Sequence, residues 1–247
     1  MMNITAPMDD PIVLYGISLL AAAMSLAWLV QCWRNAKLKF SHMLTGVASL
    51  WVLSFVGSYF GWFHRLDMLP PPTVLAGAFA GTLTWLAANG PVGAALARTM
   101  NYRSLVVLQV FRLPLELVML RAASLSVMPV EFSMRGYNFD ALTGLSALFI
   151  WLAMSVPNWV SLRLVSVWNI FGMACLAVIG VLAVLTSPLV AAFGSAPTHI
   201  NTWILFFPYS LLPLVLVSAA VFGHLVLTRK LALEKLLQFS PTKGNPP

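Results

Sequence analysis

The chain has 247 residues, 60% of them hydrophobic and only 9% charged, against roughly 25% charged residues in ordinary soluble domains. Apolar runs of about 20 residues recur from end to end with short connections between them, which excludes a soluble globular domain and describes one bundle of membrane helices. The net charge of +7 does not indicate nucleic acid, because the basic residues sit beside helix ends instead of clustering on one soluble face.

In chain order, the pattern predicts a first helix over residues 11–33, with Pro11 in the first turn, where its missing N–H is harmless. Asp9 and Asp10 stand where a signal peptide would carry basic residues, and the apolar run is too long for a signal-peptide core, so this helix is expected to stay uncleaved. A second helix is expected over 43–63 and a third over 73–88, separated by the extended Pro70-Pro71-Pro72 connection. Asn89-Gly90-Pro91 then predicts a kink or a short interfacial helix. A fourth helix is read over 104–120, a fifth over 141–156, a sixth over 164–186 and a seventh over 200–227, the last crossing Pro208 and Pro213. Gly77 and Gly81 give the third helix a GxxxG spacing that suggests a close helix contact.

The expected fold is therefore all-α, a polytopic transmembrane bundle of seven helices. Residues 1–228 form the transmembrane domain and 229–247 a basic tail. Arg34, Lys37, Lys39, Arg98, Arg103, Arg163, Arg229, Lys230, Lys235 and Lys243 fall on one side of this topology, and Arg65, Arg121 and Arg135 on the other. The excess of Lys and Arg assigns the first side to the cytoplasm and the N-terminus to the outside.

Polar residues at membrane depth carry the site expectation. The fourth helix holds Arg112, Pro114 and Glu116. At 1.5 Å per residue from Arg103, Arg112 lies about 13 Å in and Glu116 about 20 Å in. Ionisable groups at such depth cost at least about 2.5 kcal/mol and normally face a bundle interior, pair, and mark a site. At a spacing of four, the two can pair with each other. Asn138 and Asp140 precede the fifth helix, where one of them can cap free N–H groups or approach Arg112 and Glu116. Arg121 and Arg135 read as surface partners of Glu131. A second layer toward the cytoplasm contains Gln109, Asn89, Asn169 and His224, with His224 the member best suited to proton chemistry.

Cys32 and Cys175 lie in apolar segments without a CxxC pattern, and no metal site is expected. Two pairs of histidines at similar depths, His42 with His224 and His64 with His199, admit a haem reading. Three of the four sit at helix ends, where interfacial histidines are commonplace, so haem is the weaker reading and the cofactor stays open.

Several pieces of the C-terminal two-thirds belong together: Val110-Phe-Arg-Leu-Pro-Leu-Glu116, Met134-Arg-Gly-Tyr-Asn-Phe-Asp140 with Gly144, Trp168-Asn169 with Gly172, Phe207-Pro208 with Pro213, and Phe222-Gly-His-Leu225. In combination they resemble a family of uncharacterised bacterial seven-helix integral membrane proteins. That family usually has Glu-Gly-Arg before Asn-Phe-Asp where this chain has Met-Arg-Gly-Tyr. The resemblance implies no activity, but it makes Arg112, Glu116, Asn138, Asp140, Asn169 and His224 one set.

The functional expectation is a bacterial inner-membrane protein whose buried polar site binds a small ligand or a proton, as a transporter or sensor does. The alternatives are a membrane-embedded enzyme acting on a lipophilic substrate, with Glu116 or Asp140 as general acid, and a noncatalytic assembly subunit. The expected partners are the lipid bilayer, a small-molecule or lipophilic ligand and, in an oligomer, further copies of the chain.

Overall fold

The computed structural model describes residues 6–239, with side chains through Leu236. Lys243 and the end of the expected tail lie outside the described residues. Within them every regular element is helical and no strand occurs.

Helix α1, Pro11–Asn35, starts where Asp10 accepts hydrogen bonds from the amides of Ile12 and Val13, satisfying two free N–H groups of the first turn, to which Pro11 contributes none. Its inner stripe is Val13, Ile17, Ala21, Met24, Trp28 and Cys32, the spacing that keeps side chains on one face of a helix. Helix α2, Phe40–Tyr59, follows a short 3₁₀ turn, and α3, Pro72–Asn89, follows the proline-rich connection. Gly90-Pro91 ends α3, and a short α4, Pro91–Thr99, follows in place of a straight continuation.

The small-residue contact of α3 is made by a stripe offset from the expected one. Ala76, Ala80, Thr84 and Ala88 are buried. A side chain built on Gly77 or Gly81 would meet nothing within 4 Å, so the GxxxG glycines face outward.

The stretch expected as one fourth helix is two. Helix α5, Tyr102–Val107, gives way to a tight turn over 108–111, and α6, Arg112–Ser124, starts afresh. Pro114 explains the break. Having no N–H it cannot bond the carbonyl of Val110, and its ring crowds that carbonyl, so the preceding turn tightens. The amides of Gln109, Val110, Arg112 and Leu113 each bond three residues back. Pro114 thus sits in the first turn of α6, and Arg112 is the helix's first residue.

Helix α7, Asp140–Ala153, and α8, Leu162–Leu185, follow. The expected seventh helix begins later than residue 200. A 3₁₀ turn at Trp203–Leu205 and the Pro208 region precede a π-helical turn, Leu212–Leu216, which runs into α9, Val217–Phe239. Among the described residues four stretches are long and apolar enough to cross a membrane: Pro11–Asn35, Lys37–Tyr59, Leu162–Leu185 and Leu212–Leu236. Large apolar side chains such as Leu19, Ile170 and Val184 are exposed on the perimeter, as lipid-facing residues are.

Polar clasps join the helix ends. Arg121, at the end of α6, donates to Asp10 at 2.9 Å, and Glu131 meets His199 Nδ1 at 2.6 Å. This corrects the assignment of Arg121 to Glu131: Asp10 already lies at the same end of the bundle, and the Glu131 carboxylate is turned to the 197–199 turn. Arg229 donates from Nη1 to the carbonyls of Ala88, Asn89 and Gly90. A cation there answers the unsatisfied carbonyls that close α3.

Candidate functional site

The centre of the bundle is a chain of polar side chains on α6, α7, α8 and α9. Arg112, 1% exposed, donates from Nη1 to Asp140 Oδ1 at 2.9 Å. It makes no ion pair with Glu116, although the two lie one turn apart. Because α6 begins at Arg112, the guanidinium leaves from the helix's first residue toward the opening turn of α7. Gly144 makes this approach possible. A side chain there would come within 3.1 Å of Arg112 Cβ and 2.9 Å of the Leu113 amide nitrogen.

Glu116 is held differently. Oε1 accepts the Met134 amide at 2.7 Å, and Oε2 accepts from Asn138 Nδ2 at 2.8 Å. Asn138 also donates to the Phe132 carbonyl, and its Oδ1 accepts the Asp140 amide at 2.9 Å. One asparagine therefore joins the two carboxylates' supports, bending the backbone into α7 as an Asx turn does. It does not cap the helix beyond Asp140, and α7 has no side-chain cap. The loop before it is pinned by Gly136, where any side chain would strike the backbone of Val130 and Glu131 at 2.5 Å.

Asn169, Thr228 and His224 form the second group. Asn169 Nδ2 donates to Thr228 Oγ1 at 2.7 Å, and that hydroxyl donates to the His224 carbonyl at 2.9 Å. The Asn169 oxygen is thereby turned to His224 Nδ1 at 2.7 Å. This network assigns the ring proton to Nδ1, and leaves Nε2 a buried acceptor without a partner. The ring packs against Gly172, where a side chain would overlap His224 and touch Thr143. Residues 143 and 144 of α7 therefore lie between the groups, Gly144 against Arg112 and Thr143 beside His224.

Several polar atoms here are buried without protein partners: Arg112 Nε and Nη2, Thr143 Oγ1 and His224 Nε2. Beside Arg112, Glu116, Asn138 and Asp140 is a crevice of about 20 Å³, which is room for a water and too little for an organic molecule.

Of the six residues expected to form the site, Arg112, Glu116, Asn138 and Asp140 are in one hydrogen-bonded group, and Asn169 and His224 in the adjacent one. Gln109 reaches α9 by donating to the Ala220 carbonyl at 3.2 Å. Asn89 is not part of the layer; it is exposed and bonds the Trp85 carbonyl of its own helix. Sequence reasoning did not single out the Met134 amide, Thr143 or Thr228. Only Thr228 carried a signal, four residues after His224 on the same helix face.

The described histidines are engaged separately. His224 meets Asn169, His199 meets Glu131, His64 stacks near Phe206, and His42 is exposed. No group of three or more metal-ligating side chains occurs among the described residues. Comparison of the chain with family models, with curated proteins and with solved structures gives no match in any of the three.

Proposed function

We propose that the chain is a bacterial inner-membrane protein of transporter or sensor type, and that its central polar layer binds a proton or a water-sized ligand. In this reading the chain crosses the bilayer seven times, N-terminus outside, with α3, the α5–α6 pair and α7 completing the four long apolar stretches. The clasps of Asp10 to Arg121 and of Arg229 to the end of α3 support it, since each joins ends that alternate crossings bring to one side.

The observation that carries the reading is the buried charge count. One guanidinium, Arg112, stands against two carboxylates, Glu116 and Asp140, all at most 6% exposed. With both carboxylates ionised the group holds one uncompensated negative charge, and charges taken out of water need compensation. A proton supplies it and fits a crevice of about 20 Å³. The unpartnered nitrogens of Arg112, the Thr143 hydroxyl and His224 Nε2 offer a continuation for water-borne proton movement toward α9. The same crevice gives no room for a lipophilic substrate beside either carboxylate, so the enzyme reading finds no support at this site.

The test is a proton count. Purified protein titrated across the neutral range takes up about one proton more than the Glu116→Gln/Asp140→Asn variant, a difference set by the single uncompensated charge. Equal uptake by the two overturns the proposal.

A further inference from the structure

A wide cavity lies away from the polar layer. It has a volume of about 530 Å³ and opens between α1, α2, α3 and the start of α9, within the roughly 300–1,000 Å³ range of small-molecule sites. Val215, Ser218, Ala219 and Phe222 turn toward it, whereas Leu212, Leu216, Val217 and Ala220 turn toward the Arg112 crevice. One helix thus separates the two spaces. The π-helical turn Leu212–Leu216 borders both, and such turns are frequent at functional sites.

The walls are apolar, with Met24, Trp28, Leu50 and Phe222 prominent. Trp28 and Phe222 pack edge to face at 4.8 Å and fix one side. Among the described residues six hydroxyl side chains interrupt this surface, Ser25, Ser41, Thr45, Ser49, Thr84 and Ser218, and two of them are buried. Thr84 on α3 and Ser218 on α9 are more than nine-tenths buried and line the cavity. Among the described residues neither hydroxyl has a hydrogen-bond partner, unlike Ser18, Ser49 and Thr186, which bond the carbonyl four residues back. Among the described residues of the lining the one ionisable side chain is His42, which is exposed.

We propose that this cavity binds a neutral lipophile, an apolar ring or chain carrying one carbonyl or hydroxyl that bonds Thr84 and Ser218. An anionic headgroup finds no buried cation here among the described residues. A plain acyl chain leaves both hydroxyls unpaired against hydrocarbon, which disfavours it. The site is independent of the proton reading of the polar layer and stands or falls separately.

Benzophenone, a neutral diaryl ketone that inserts into adjacent C–H bonds under near-ultraviolet light, is a suitable probe. Irradiated with the purified protein, it labels the peptides around Met24, Met43 and Leu83 saturably. In Gly46→Trp the new ring enters open space, since a side chain at Gly46 meets nothing within 4 Å. That variant keeps its unfolding temperature while wall labelling falls about ten-fold, as a filled pocket requires. A long-chain ketone competes at about five- to ten-fold lower concentration than the alkane of equal length, the effect of about one neutral hydrogen bond. Thr84→Val/Ser218→Ala removes that advantage. Unsaturable labelling spread over the lipid-facing helices overturns the site, and equal competition by alkane and ketone overturns the ligand class in favour of an acyl chain.

Discussion

Around α9 the chain builds two regions of opposite construction. On one face, Arg112, Glu116, Asn138 and Asp140 are locked by hydrogen bonds of 2.7–2.9 Å around a crevice of about 20 Å³. On another, largely apolar walls leave about 530 Å³ unfilled, with the buried hydroxyls of Thr84 and Ser218 in the lining. Glycines mark the difference. At Gly144 and Gly172 the missing side chain is what lets Arg112 and His224 come close, while at Gly46 its absence leaves empty space. A tightly specified polar layer can hold a proton in one place. A loosely filled apolar cavity accommodates a molecule defined by size and one polar group.

The largest effect is expected from removing half of the central ion pair. Arg112→Met leaves the Asp140 carboxylate buried without its cation and is expected to cost about 3–5 kcal/mol. Arg112→Met/Asp140→Leu recovers most of it, because an apolar pair of similar volume replaces two desolvated charges. Thermal unfolding of the purified variants checks both, and equal destabilisation by single and double variants shows that the two residues are not coupled.

Gly172→Ala forces a methyl group into the His224 ring, which Asn169 holds in place, and is expected to cost about 1–3 kcal/mol. Glu116→Gln keeps the shape but turns an amide toward the donor of Asn138. Losing that acceptor costs about 1–2 kcal/mol, in the range for a buried donor left unpaired. On the cavity side the sign reverses: Gly46→Ala places a methyl group in open space on a helix and stabilises by about 0.5–1 kcal/mol. Chemical denaturation in one detergent ranks the three.

The smallest effect lies outside both regions, at Asp10. The hydrogen-bonded Arg121 guanidinium holds its carboxyl below the usual carboxylate range. Its contribution to stability is therefore complete above the ordinary value of 3.8 and is lost as pH falls through the lower folded value. Asp10→Asn removes that contribution, so it lowers the neutral plateau slightly and flattens the acid limb of the stability curve.

The sequence showed the helices well and their interruptions less well. Long apolar periodicity with short connections made α1, α2 and α8 readable to within a few residues. The run over 104–120 reads as one helix through Pro114, whereas that proline restarts the chain at Arg112, and the restart turns the guanidinium to Asp140 instead of Glu116. The six site residues stood out because ionisable and amide side chains are expensive in hydrocarbon. An approach of Asp140 to Arg112 is among the alternatives the sequence leaves open; what decides between them is not legible there, since it depends on close approaches at Gly144 and Gly172 and on the backbone amide of Met134. The large cavity left no sequence signal, because space between helices is a property of packing.

The central claim, a proton exchanged by the buried carboxylates, is tested most directly by infrared difference spectroscopy of the reconstituted protein across the neutral pH range. A carboxylic-acid carbonyl band is expected to appear as pH falls, to shift in heavy water, and to be lost in Glu116→Gln/Asp140→Asn. A spectrum without such a band at any pH, or one that the double variant leaves unchanged, contradicts it.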